Sequence, residues 1–303
     1  MSAAADEVAA LDAVGLGKRY GRRRWALQDF TATVPARRVV GLVGANGAGK
    51  TTLLSLAAGL ATPSSGAVMV LGGTPARNAD QLARVGFVPQ DAPLYAGLSV
   101  ADHLRLGARM NPQWDAESAD GRIRELGLDP TQRAGQLSGG QRAQLALTLA
   151  VGKKPDLLLL DEPVAGLDPL ARRHFLAALM AEVAERPLSV ILSSHLLGDI
   201  ERVCDHLIVL SAGRVQLAGD VATLLAAHRH VMAPRDTFDA QAAGLDVIDA
   251  ERTSRQVSAV VRGDLSVTPV GWDVHELSLE DLVLAYLGQG LTPTVAPQRG
   301  GEG

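Results

Sequence analysis

The stretch Gly41 to Thr52, GLVGANGAGKTT, holds the clearest chemistry in the chain. Gly44 and Gly49 stand at the spacing G-x-x-x-x-G-K-T, with Asn46, Gly47 and Ala48 between them and Lys50, Thr51 and Thr52 at the end. Missing side chains let successive backbone N–H groups face one oxyanion where a helix starts, and the helix dipole adds to the attraction. Lys50 can reach outer phosphates, and the Thr51 hydroxyl can ligate magnesium. A second chemical group is the adjacent pair Asp161 and Glu162. Near magnesium and phosphates, Asp161 suits the metal's water shell, and Glu162 suits orienting or deprotonating an attacking water. Ser138, Gly139, Gly140 and Gln141 form another anion-binding helix mouth, with a serine N-cap and two glycines that expose backbone N–H groups.

These residues must be positioned by strands and helices, and the sequence marks where. Val39–Val43 is a short, branched, apolar run of the kind that forms a buried strand, and Thr52–Gly59 carries leucines at helical spacing. Leu157–Leu160, bounded by Pro155 and Pro163, reads as a central parallel strand that delivers Asp161 and Glu162 to its carboxyl end. Arg84–Pro89 and Leu188–Ser194 read the same way and deliver Gln90 and His195. In open parallel sheets ligands sit outside the carboxyl ends of strands, so all of these positions fall on one rim.

Around this core, Leu11–Gly17 and Leu27–Val34 are expected as antiparallel edge strands, Gly66–Leu71 as a further strand, and His206–Leu210 with Arg214–Leu217 as closing strands. Residues 91–137 form a helical insertion with a Ser99–Asp102 capping box and an amphipathic helix over Ala116–Leu126. The composition shifts near residue 225. Val257, Ala259 and Val261 alternate with polar residues, Gly271–Leu277 suggests another strand, and Ser278 caps a helix ending near Leu287. This predicts a phosphate-binding α/β domain over 8–224, a small α+β appendage over 225–290, and a disordered tail over 291–303.

Some residues stay open. Tyr20, on the loop KRYGRRRW, could stack on a base or lie at the surface. The basic run Arg22, Arg23, Arg24 fits a solvated loop or attraction to phosphates or lipid headgroups. His228 and His230 are a weak metal pair.

The whole chain narrows the classes. With 303 residues, 47% of them hydrophobic, it can bury a large core, and its formal net charge of -4 argues against a nucleic-acid partner. Cys204 stands alone, so no internal disulfide forms. The N-terminal MSAAADEVAA lacks a basic n-region and an apolar h-region, and no run approaches about 18 apolar residues. The chain is expected neither to cross nor to enter a membrane alone.

In order and context the motifs resemble the ATP-binding subunit of ABC transporters. GANGAGKTT is similar to the Walker A motif, LSGGQ to the signature and LLLLDEP to Walker B. The resemblance spans about residues 12 to 220 and implies a P-loop ATPase core, a mixed and mostly parallel sheet with an antiparallel edge. It implies that Tyr20 stacks on adenine, that Gln90 is the Q-loop residue beside magnesium with Thr51 and Asp161, that Asp168 is the D-loop aspartate and that His195 is the switch histidine. Ser138, Gly139, Gly140 and Gln141 would bind the γ-phosphate held by a second protomer, so two ATP molecules with Mg2+ close a head-to-tail dimer. Gln144 and Leu149 depart from the family, where arginines are common. Transport would need separate integral membrane subunits, with this chain peripheral at the cytoplasmic face. SLEDLVLAYLG resembles the C-terminal end of ATPases paired with ABC-2-type exporters, which favours export. The competing classes are an ABC ATPase that remodels proteins or assembles cofactors without transport, and an appendage that serves as a regulatory binding module.

Overall fold

The computed structural model describes residues 8–21, 24–242, 244–263, 265 and 268–288. Arg22, Arg23 and the stretch 291–303 lie outside the described residues. The chain divides into two compact units, Met1–Val221 and Ala222–Gly303.

The first unit opens with the hairpin β1 (Leu11–Tyr20) and β2 (Arg24–Val34), followed by β3 (Val39–Val43), α1 (Lys50–Ala57) and β4 (Ser65–Val70). Next come α2 (Ala79–Ala83) and β5 (Val85–Val88), then the insertion helices α3 (Val100–Met110) and α4 (Ala116–Glu125). The chain continues through α5 (Gly139–Gly152), β6 (Leu157–Asp161), α6 (Pro169–Glu185), β7 (Ser189–Ser194) and α7 (Leu197–Val203). The pair β8 (His206–Ser211) and β9 (Arg214–Asp220) closes the unit.

Two sheets result. A six-stranded sheet runs β5-β6-β7-β3-β8-β9, parallel except for the last pair, and an antiparallel sheet runs β2-β1-β4. Their inner faces share one core with α1: Leu11, Leu16, Leu27 and Phe30 pack with Leu42, Leu53, Leu157 and Leu159. All four leucines of β6 are fully buried, which explains the apolar run that sequence alone could only read as central. At about 1.5–3 kcal/mol for each such side chain, this strand anchors the sheet.

Register then sets the rim. Val43 pairs with Ser194, Asp161 with Ser193 and Val88 with Leu160, so β3, β5, β6 and β7 end level. The insertion is held by its own cluster of Val100, Leu104, Ile123, Leu128 and Leu145, and the Ser99–Asp102 capping box starts α3. That box holds the Asp102 carboxyl down at about 2, mainly through the Ser99 hydroxyl and amide and then Arg105.

The second unit holds α8 (Val221–Ala227), β10 (His228–Pro234), α9 (Arg235–Gln241), β11 (Asp246–Arg252), β12 (Gln256–Arg262), β13 (Asp273–His275) and α10 (Leu279–Gly288). Its strands form an antiparallel sheet of order β11-β12-β10-β13. One face buries Val231, Ala233, Val257, Ala259 and Val261 under Phe238 and Trp272. The strand expected over Gly271–Leu277 is shorter, because Trp272 closes a turn onto the Pro269 carbonyl and turns its ring into that core. His228 and His230 belong to β10 and form no metal pair. His228 hydrogen-bonds the Leu224 carbonyl and the Tyr286 hydroxyl, and His230 the Ser258 hydroxyl. Among the described residues no helix is long and apolar enough to cross a membrane.

Candidate active site

The loop from Gly44 to Gly49 joins β3 to α1 with a backbone that side chains would obstruct. A Cβ at Gly44 would meet the Leu210 carbonyl oxygen at 2.4 Å. At Gly49, φ is 111° and a Cβ would meet the Ala26 carbonyl oxygen at 2.5 Å. Glycine at these two places lets β2, β8 and the loop approach each other closely. The loop closes on itself through Ala48 N–H to Ala45 O at 3.0 Å, and Lys50 Nζ folds back to donate to Gly44 O at 2.7 Å. Its amides thus wrap the start of an eight-residue helix.

A cavity of about 510 Å³ opens over this loop, a size suited to a nucleotide. Tyr20, Asn46, Gly47, Ala48, Gly49, Lys50, Thr51, Thr52, Gln90, Glu162 and His195 all line it, so residues from five separate stretches of the sequence converge as expected. Two further residues, Arg24 and Ala26, line it as well. Arg24 was readable in principle: it pairs with Tyr20 across the hairpin, so an aromatic facing a ligand implies a neighbouring cation.

The carboxylates sit behind the phosphate loop. Glu162 is 6% exposed, and its two oxygens have different partners: Lys50 Nζ lies 3.2 Å from Oε1, and His195 Nδ1 lies 2.6 Å from Oε2. Glu162 also adopts φ 48°, a left-handed conformation rare for a side chain of this kind and worth about 1–3 kcal/mol of strain. Ser193 holds it there. Its hydroxyl accepts the Glu162 N–H at 2.8 Å and donates to Asp161 Oδ1 at 2.8 Å, so one serine on β7 orients both carboxylates. The sequence reading passed over Ser193; its signal is the parallel register that pairs it with Asp161.

Asp161 is almost fully buried and does not line the cavity. Thr51 and Gln90 do, and the oxygen donors that such side chains carry, next to a phosphate loop, fit magnesium. Asp161 lies off the cavity wall, where it could reach a metal only through water.

Ser138, Gly139, Gly140, Gln141 and Asp168 stand apart from this cavity. Ser138 and Gln141 form a reciprocal capping box at the start of α5, and Ser138 and Gly139 are exposed. The exposed Asp168 caps α6, accepting from Leu170 N–H at 3.0 Å and Ala171 N–H at 2.9 Å. Leu149 lines a separate apolar groove with Leu60, Leu82, Phe87, Pro93 and Leu94, beside the segment that carries Gln90.

Comparison with known proteins matches this geometry. The ABC transporter family model covers residues 27–165. A methionine import ATP-binding protein, MetN 2 of Pseudomonas aeruginosa, is 34% identical over 73% of this chain and 69% of its own length. The Nod factor export ATP-binding protein I of Burkholderia lata is 34% identical over 68% of this chain and 69% of its own. A solved ATP-binding subunit of an ABC transporter superimposes with a TM-score of 0.64 at 30% identity, covering 71% of this chain and 91% of that one. This chain belongs to the ATP-binding subunits of ABC transporters, ATPases that partner membrane subunits and couple ATP hydrolysis to transport.

Proposed function

We propose that the subunit binds ATP with magnesium, hydrolyses it in a head-to-tail homodimer, and powers export from the cytoplasmic face of the membrane. The observation that carries the dimer is the separation of two anion-binding helix mouths. One, at Lys50, lines the cavity; the other, at Ser138–Gly140, has its side-chain cap satisfied internally and is turned to solvent, free for a phosphate held by another copy.

In this reading Tyr20 stacks on adenine while Lys18 Nζ, 5.3 Å from its ring centroid, holds the aromatic in place. Loop amides and Lys50 take up charge on the β and γ phosphates, where preorganised donors act without reorganising. Magnesium, when bound, would neutralise the same oxygens, held by Thr51 and Gln90 and by Asp161 through water. Glu162 accepts the proton of the attacking water, and its hydrogen bond to His195 holds both side chains towards the terminal phosphate. Asp168 and the Ser138–Gln141 segment act on the partner's site.

Export rests on finer support. The Nod factor relative is named for export and the methionine relative for import, while the segment Ser278–Gly288 resembles ATPases of ABC-2-type exporters. The apolar groove beside the Gln90 segment suits a short helix from a membrane subunit. Detergent extraction with this chain tagged tests the reading: a multi-span membrane protein should co-elute and raise ATP turnover. Inside-out vesicles carrying the pair should then take up substrate only with ATP. Recovery of soluble factors alone would place the protein among remodelling ATPases, and uptake only by right-side-out vesicles would reverse the direction.

A further inference from the structure

Two buried polar atoms without hydrogen-bond partners face each other behind the site. Arg172 Nε and Asp199 Oδ2 are both buried and unbonded, and they lie 3.6 Å apart. Arg172 stands in the first turn of α6, four residues after Asp168, and its Nη2 donates to the Leu167 carbonyl at 3.4 Å. Asp199 stands in the first turn of α7, four residues after His195. Burial pushes the Asp199 carboxyl up, against the pull of Arg172, Arg202 and His195. The two groups form a loose ion pair whose facing atoms are buried although the Arg172 side chain stays 27% exposed, and they stop just short of hydrogen-bond range, so the directional gain of a bond is not collected. A small movement of either helix would complete the bond.

We propose that Arg172 and Asp199 are positioning residues that couple the histidine loop to the aspartate loop. His195 ends one arm of this linkage and Asp168 the other, with the guanidinium between them. A shift of α7 by about half an ångström, as His195 takes up the terminal phosphate, brings Asp199 into hydrogen-bond range of Arg172. Arg172 then pulls on the Leu167 carbonyl and resets the neighbouring Asp168, the residue turned towards the partner protomer. Nucleotide engagement in one site is thereby transmitted to the other. Neither Arg172 nor Asp199 lines the nucleotide cavity, so their effect falls on turnover and not on binding. This coupling rests on the roles proposed above for His195 and Asp168.

The test is a double-mutant cycle on the full chain, reading kcat and KM for ATP together with affinity for a fluorescent ATP analogue. Arg172→Ala and Asp199→Ala should each lower kcat by about three- to thirtyfold, the range for residues that modulate coupling without touching a ligand. Analogue affinity and KM should stay within about twofold. The double variant should be no slower than the slower single, and in an Asp168→Ala background Arg172→Ala should add little. Arg172→Lys, which keeps the cation opposite Asp199, should recover part of the loss. Should the alanine variants fail to fold, Asp199→Asn and Arg172→Gln carry the same cycle with the charges removed at similar volume.

Losses that multiply in the double variant, or that move analogue affinity with kcat, would show that the pair only packs α6 against α7. Single variants within about twofold of the parent would overturn the coupling outright. Asp168→Ala and His195→Ala are measured alongside: if both leave turnover intact, the reading of the site itself fails, whereas turnover lost in these two and kept in the Arg172 and Asp199 variants rejects the linkage alone.

Discussion

Lys50 Nζ lies 3.2 Å from Glu162 Oε1, with both side chains more than nine-tenths buried. The cation proposed to meet the terminal phosphates and the carboxylate proposed to meet the attacking water are therefore one ion pair. In that proposal a phosphate arriving at Lys50 would compete with Glu162 for the ammonium, which would tie release of the carboxylate to arrival of the substrate. His195 on the second oxygen keeps the carboxylate in place while this exchange occurs.

Glu162→Gln preserves shape and removes the base. Turnover should fall by about 10²–10⁴, the usual contribution of a positioned acid or base, while ATP still binds and drives a closed dimer detectable by size-exclusion chromatography. Near-normal hydrolysis by this variant removes Glu162 from the role.

Lys50→Met should weaken affinity for a fluorescent ATP analogue by about ten- to a hundredfold, since charge-assisted hydrogen bonds contribute about 1.5–3 kcal/mol. Equilibrium titration checks it. Unchanged affinity would mean that the phosphates lie elsewhere.

Gly49 and Gly47 separate two kinds of constraint. An alanine at Gly49 meets both a left-handed φ of 111° and the Ala26 carbonyl, so Gly49→Ala should abolish nucleotide binding and lower the unfolding midpoint. At Gly47, φ is 83° but no atom lies within 4 Å of the Cβ position, so Gly47→Ala should cost only backbone strain of about 1–3 kcal/mol. Thermal melts and binding titrations of both variants read the order, and a reversed order contradicts the loop geometry.

His228 makes the second unit sensitive to acid. Burial lowers its pKa, with the Leu224 carbonyl pulling the other way, while the unfolded chain takes up a proton near the ordinary value of about 6.5. Between that value and the lower folded one the unfolded state holds more protons, so stability falls as pH drops through this window and levels off below it. Above it His228 is neutral in both states and its contribution is complete. Thermal unfolding followed from pH 8 to pH 5, with His228→Gln as reference, should show a steeper decline for the parent protein; parallel curves would exclude His228 as the cause.

Much of the site was legible because its signals are local. Val39–Val43 appears with the bounds its branched apolar run implied, and Ser138 caps α5 with the reciprocal Gln141 contact that a serine three residues ahead of a glutamine permits. The appendage was harder. β10 and β11 carry mixed polar and apolar residues, and β11 shifts register between Val247 and Asp249, which breaks the alternation that marks a strand. In β10 the histidines drew notice as ligands, whereas their hydrogen bonds to Leu224, Tyr286 and Ser258 show side chains tied into this unit.

The sequence by itself determined which chemical groups stand at the carboxyl ends of β3, β5, β6 and β7, because strand periodicity, glycine spacing and helix capping are written in neighbouring residues. Only the tertiary structure decided that Ser193 orients Asp161 and Glu162, that Arg24 joins Tyr20 at the cavity, and that Arg172 faces Asp199. Each of these depends on the register of strands or on the packing of helices far apart in the chain, and such distances are set by the shared core, not by any local run of residues.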